Sequence, residues 1–218
     1  LQWRTRCQKR CAETAALAQR ESSMKKLILA SGSPRRRTLL ENYGFDITVI
    51  KPEFNENTVA ESDPGALVAA LALGKNRAVR MRCDASLKES AVFLSADTVV
   101  SIGGKILGKP IGSEDAFHML RLLSGSTNKV YTGVCISSVC GESCFTEKTD
   151  VTFYALSDTQ IRRYIDSGAP FDKAGGYGIQ DDMGIGFIES VHGELSNVIG
   201  LPMRRTVREL QKLQGDII

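Results

Sequence analysis

The chain has 218 residues, 42% of them apolar and 24% charged, with a formal net charge of +3. Residues 1–23 carry that whole excess, five Lys/Arg against two Asp/Glu, so the remainder is neutral and offers nucleic acid no global basic surface. No apolar run reaches transmembrane length, and six cysteines without Cys-x-x-Cys spacing argue against a zinc site and need no disulfide framework, with a reducing compartment as the default.

Residues 1–23 are rich in Arg, Gln and Ala, poor in acids, and precede the first Met, Met24. An upstream or non-native segment, an organelle-targeting presequence and a disordered or docking extension all fit this composition. The position of Met24 favours the first, with residues 24–218 as one domain in the cytoplasm. Organelle targeting by residues 1–23 stays open.

Residues 27–30, Leu-Ile-Leu-Ala, form a short apolar run expected of a buried strand. Ser31, Gly32, Ser33 and Pro34 follow, with Ser33 placed to cap a helix that Pro34 opens. Free backbone N–H groups at such a junction attract anions. Arg35, Arg36 and Arg37 in the first turn therefore need a reason, and a polyphosphate supplies one, since guanidinium forks match phosphate oxygens. A solvated basic turn is the alternative.

Residues 45–50 alternate as a strand, and 51–63 are a polar loop with three glutamates, Glu56 central among them. A helix over 64–83 starts from Asp63 as cap. Leu67, Leu71, Lys75, Ala78 and Arg82 share a stripe on it, and spacing alone favours Lys75 as a snorkelling lysine. In the apolar run 91–102 the acid Asp97 stands alone, as on a central strand, where a carboxylate is costly unless paired or metal-bound.

Gly103-Gly104 turns a hairpin, Lys109-Pro110 follows, and residues 113–123 form a helix. Residues 130–139 and 144–154 read as antiparallel strands joined at Gly141, and 157–167 as a helix capped by Ser157 or Asp158. Gly175, Gly176 and Gly178 make 171–180 a loop that lets backbone approach a ligand. A late strand over 185–191 and a helix from Pro202 to about residue 213 close the chain. His118 and His192 read as structural. The acids, the Arg-rich loop and the lysines at 75 and 109 together point to a divalent metal and phosphoryl chemistry.

Four blocks also resemble the Maf family of nucleoside triphosphate pyrophosphatases, in that family's order: ASGSPRR at 30–36, SADT at 95–98, GKP at 108–110 and DKAGGYGIQ at 172–180. The resemblance runs from about residue 25 to 210. It implies an α/β fold of the inosine triphosphate pyrophosphatase type, a mixed twisted sheet flanked by helices with two lobes around a central cleft. It also implies hydrolysis of a nucleoside triphosphate to the monophosphate and pyrophosphate, by water that Asp97 activates with Mg²⁺ or Mn²⁺.

By the same resemblance Asp97, Glu56 and Lys75 are catalytic, with Asp97 and Glu56 on the metal. Ser31, Ser33, Arg35, Arg36, Thr98, Lys109, Lys173 and Gln180 bind substrate, and Arg35, Thr98 and Gln180 bear on its choice. The block at 172–180 resembles the branch that acts on dTTP and UTP more than the branch that uses 7-methyl-GTP. Two departures, Ser95 for Gly and Gly176 for Ala, are expected to be mild. A homodimer is implied, and a nucleotide-binding regulator of cell division with little turnover is the alternative. Neither nucleic acid nor membrane is expected as a partner.

Overall fold

The computed structural model describes residues 26–214, and for Gln214 the backbone alone; the extension read over residues 1–23 lies outside them. The strands are β1 (Lys26–Leu29), β2 (Ile47–Val49), β3 (Ala91–Ile102), β4 (Lys105–Leu107), β5 (Thr127–Ser138), β6 (Gly141–Phe153) and β7 (Ile188–His192). They form one mixed sheet in the order β2-β1-β3-β5-β6-β7, with β4 beside β3. β1 is parallel to β2 and β3; the other pairings are antiparallel.

The helices are α1 (Pro34–Asn42), α2 (Pro64–Arg82), α3 (Ala85–Ser90), α4 (Ser113–Leu123), α5 (Asp158–Asp166), α6 (Asp182–Ile185), α7 (Leu195–Ile199) and α8 (Met203–Gln214). Leu40 of α1 with Met203 and Leu210 of α8 packs on Leu27, Leu29, Leu94 and Val134. Val79 of α2 covers Ile28, Ala30 and Phe93 on the opposite face. A separate cluster joins the far ends of the long strands, at Val100, Val130, Val151 and Phe153, to Leu120 of α4 and Ile161 of α5. β3, β5 and β6 thus run through two lobes, and the cleft opens where the lobes meet.

Several expected boundaries shift. β2 is only three residues long, because this edge strand pairs solely with the short β1. The late strand begins at Ile188; Ile185 ends α6 and is exposed, so its apolar character was a misleading guide. The β5–β6 turn falls on Val139 and Cys140, and Gly141 already belongs to β6. On α2 the buried stripe is Val68, Leu71, Ala72, Lys75, Asn76 and Val79, rotated from the predicted one, and Arg82 is exposed. Cys135 and Cys144, register partners across β5 and β6, meet as a disulfide that cysteine spacing did not announce. Among the described residues no helix is long and apolar enough to cross a membrane.

Candidate active site

The sheet itself makes the opening. β1 pairs with β3 only as far as Leu29↔Leu94, and β4 joins the same edge from Val100. Between them, residues 95–99 have no strand partner on that side. The chain leaving β1, residues 31–36, arches over this gap. A cleft of about 650 Å³ results, lined by Ser31, Ser33, Arg35, Arg36, Glu56, Lys75, Asp97, Thr98, Lys109, Lys173 and Gln180 among others. Every site residue expected from the sequence therefore borders one cavity.

At its floor Asp97 is 9% exposed and Lys75 8%. The Lys75 ammonium donates to Asp97 Oδ1 and lies 2.8 Å from Glu56 Oε1. This overturns the snorkelling lysine, because two carboxylates give the buried cation a partner that water would otherwise supply. Three packing devices set this arrangement. Gly133, the register partner of Asp97, lets α2 approach the sheet so closely that an added Cβ would lie 2.2 Å from Val68 O. Asn76, fully buried, donates to the carbonyls of Phe93 and Cys135, and its own carbonyl takes the Ser137 hydroxyl. The Phe54 ring lies against Gly74 and holds the Glu56 loop over α2.

Ser95, expected to be a mild departure, has a task of its own: its hydroxyl donates to Ala72 O at 2.7 Å, tying β3 to α2.

The three arginines do different work. Arg36 Nε donates to Gly200 O at 2.8 Å, Nη1 to Ser31 Oγ at 3.1 Å and Nη2 to Thr98 Oγ1 at 3.0 Å. Burial lowers its pKa; Asp97 offsets part of that, Arg35 adds to it and Glu56 opposes it. The guanidinium stays charged regardless. Arg35 instead reaches across the cleft mouth, with Nη1 on the Asp172 carboxylate and Nη2 3.0 Å from Asp172 O. Arg37 pairs with Glu41 at the surface, the solvated reading that the other two escape. Ser33 occupies the cap position of α1, yet its side chain makes no cap bond; its N–H goes to Ser31 Oγ.

The glycine-rich loop is pinned around Lys173 by Asp172, Asp181 and Tyr164, side chains to which the sequence assigned no role. Lys173 Nζ lies 2.8 Å from Asp172 Oδ1 and 3.3 Å from Asp181 Oδ2. Tyr164 donates to Asp181 Oδ2 at 2.7 Å and accepts from Gly178 N. Burial, then Asp181, pushes the Tyr164 pKa up, so its proton is held at any ordinary pH. Gly175 and Gly176 both have φ near +70°, the left-handed region. Gly175 N reaches Gly108 O and joins this loop to the Lys109 block. Lys109 and Gln180 are exposed at the rim. Asp172 and Asp181 had one available signal, their spacing around Lys173; Asn76 and Tyr164 gave none beyond helix position.

This geometry brings paired acids on an ammonium, a fixed guanidinium and a rim of cations around one cleft, the equipment for holding and cutting a polyphosphate. The chain is 42% identical over 207 residues to the dTTP/UTP pyrophosphatase of Agathobacter rectalis, covering 89% of this chain and all (100%) of that protein. It is 44% identical over 194 residues to the proteins of the same name from Bacillus cereus and Bacillus mycoides, covering 89% of this chain and 98% of each. Among solved structures, the Staphylococcus aureus Ham1 protein aligns with 86% of this chain and 97% of its own, at 13% identity and a TM-score of 0.44. The profile of the Maf family, described as Maf-like protein, matches residues 26–213, and the chain belongs to that family.

Proposed function

We propose that this protein hydrolyses nucleoside triphosphates between the α- and β-phosphates, with dTTP, UTP and modified pyrimidine nucleotides as substrates, releasing the monophosphate and pyrophosphate. The observation that carries the reading is the convergence of Asp97, Glu56 and Lys75 with the Ser31–Arg36 loop in a single cleft. The names of relatives above 40% identity support the substrate choice.

Asp97 and Glu56 would hold Mg²⁺ or Mn²⁺. Their donor set fits: two hard carboxylates converge on one ammonium and border a cavity where phosphate oxygens and water complete the coordination such ions prefer. When bound, the ion would neutralise polyphosphate charge and polarise the reacting phosphoryl group. The chain supplies the rest. Asp97 takes the proton of the attacking water, and Lys75 fixes its carboxylate while keeping it apart from Glu56. Arg36, anchored on three oxygens, presents its remaining N–H groups without rearranging as charge builds. Arg35 and Lys109 bind outer phosphate oxygens from the cleft mouth, Lys173 does so from its buried place at the start of the glycine-rich loop, and Ser31 and Ser33 line the turn beneath them. Gln180 offers both a donor and an acceptor to a base edge.

The test is incubation with a panel of triphosphates and Mg²⁺, read as pyrophosphate. UTP and dTTP should outrun ATP and GTP, with CTP poor because its N3 accepts where uracil donates. Preference for purines would overturn the substrate reading. Absence of pyrophosphate from every nucleotide would overturn the reaction.

A further inference from the structure

Thr98 is half-buried on the cleft wall, and its register partner on β5 is Thr132, fully buried and outside the four sequence blocks. Their hydroxyl oxygens are 2.9 Å apart. Arg36 Nη2 lies 3.0 Å from Thr98 Oγ1, and Thr132 Oγ1 lies 3.1 Å from the carbonyl of Asn197, itself buried.

Each hydroxyl has one hydrogen, which fixes the direction of the chain. A guanidinium only donates, so Thr98 accepts from Arg36. The Asn197 carbonyl only accepts, and leaving it empty at full burial would be costly, so Thr132 donates there. Thr132 then has only lone pairs left for Thr98, and the Thr98 hydrogen points inward to it. What Thr98 keeps for the cleft is a lone pair.

We infer that Thr132 is a positioning residue that locks Thr98 as a hydrogen-bond acceptor toward the cleft, so that Thr98 takes a donor group of the nucleoside and not a phosphate oxygen. Phosphate oxygens offer lone pairs and would be repelled. The donors that UTP and dTTP share are the base N3–H and the sugar 3′-hydroxyl. This rests on nucleotide hydrolysis in the cleft, as proposed above. It adds a specificity residue one strand behind the wall.

The experiment compares kcat/KM for UTP against CTP, which lacks the N3 donor, and for dTTP against 2′,3′-dideoxy-TTP, which lacks the hydroxyl. It is run on the unmutated protein, Thr132→Val and Thr132→Ser. One of the two ratios should favour the donor-bearing nucleotide and fall about three- to tenfold in Thr132→Val, the loss of one ordinary hydrogen bond. Which ratio moves identifies the donor. Thr132→Ser should restore it. Unmoved ratios in a folded Thr132→Val protein overturn the inference, as does an equal loss in Thr132→Ser, which would indicate packing alone. Should Thr132→Val fail to fold, Thr98→Val must lower the same ratio, and an unchanged ratio there also overturns it. Absence of hydrolysis by the unmutated protein overturns the reading of the site and this inference with it; retained hydrolysis with unmoved ratios overturns the inference alone.

Discussion

Asp97 carries the greatest weight of any single side chain, since it is an acid in an otherwise apolar strand and its partner comes from 22 residues away. Asp97→Asn keeps the shape and removes both the charge and the proton acceptor. Turnover should fall by about 10²-fold or more while nucleotide still binds, measured by steady-state rates beside calorimetry; normal turnover would remove Asp97 from the mechanism. The cost of an unpaired carboxylate made this residue legible in the sequence. Lys75 was harder: helical spacing placed it on the apolar stripe, but only the fold brings Glu56 and Asp97 to it. Asp172 gives a prediction in pH. Burial alone would raise its pKa, yet hydrogen bonds and charges from Lys173 and Arg35 outweigh that and hold it below the ordinary value. A depressed carboxyl pKa stabilises the fold fully above its unfolded value, about 4, and the contribution is lost as pH falls through the lower folded value. The gap in Tm between the parent and Asp172→Asn should therefore be constant at neutral pH and close below about pH 4. A gap that widens on acidification would contradict the clasp between Arg35 and the glycine-rich loop.

At the scale of elements, the closeness of α2 to β5 sets the catalytic distances. Gly133→Ala would drive a methyl into the backbone at Val68. It should cost about 1–3 kcal/mol of stability as overpacking and also lower kcat, since displacing α2 moves Lys75 off Asp97. Denaturant melts and turnover measured together check this; full stability with full activity would mean the contact is not tight. Phe54→Ala is the milder counterpart. It frees the Glu56 loop from Gly74 and should lower activity while leaving the melt nearly unchanged. Elements with strong local signals were legible: the Gly103–Gly104 hairpin, α4 at its full bounds, and α5 with Ser157 capping it through Gln160. Elements whose limits are set by neighbours were not. β2 stops where β1 does, and the start of β7 is set by α6. The loop between Lys173 and Gln180 is legible from its glycines, but one of its pins, Tyr164, comes from α5, and nothing local beyond its spacing from Lys173 marks Asp181, the residue after Gln180, as the other.

At the scale of the molecule, the cleft exists because one edge of β3 is left open between β1 and β4 while two cores close the lobes on either side. The order of the four blocks foretold which residues would meet, and their family likeness supplied what no periodicity could, the cavity between them. Residues 1–23, rich in Arg, Gln and Ala, offer no apolar face to dock on the domain. A chain starting at Met24 is accordingly predicted to keep its Tm and its turnover; loss of either would show that residues 1–23 belong to the folded unit. Cleavage between the α- and β-phosphates by the Asp97 centre leaves a distinct pair of products, and product analysis decides it. UTP and Mg²⁺ are incubated with the full chain and with Asp97→Asn, and the nucleotides are separated. UMP and pyrophosphate are expected from the unmutated protein, with UMP formation reduced by about two orders of magnitude or more in the variant. UDP with inorganic phosphate, or equal UMP from both proteins, would contradict cleavage at that bond by Asp97.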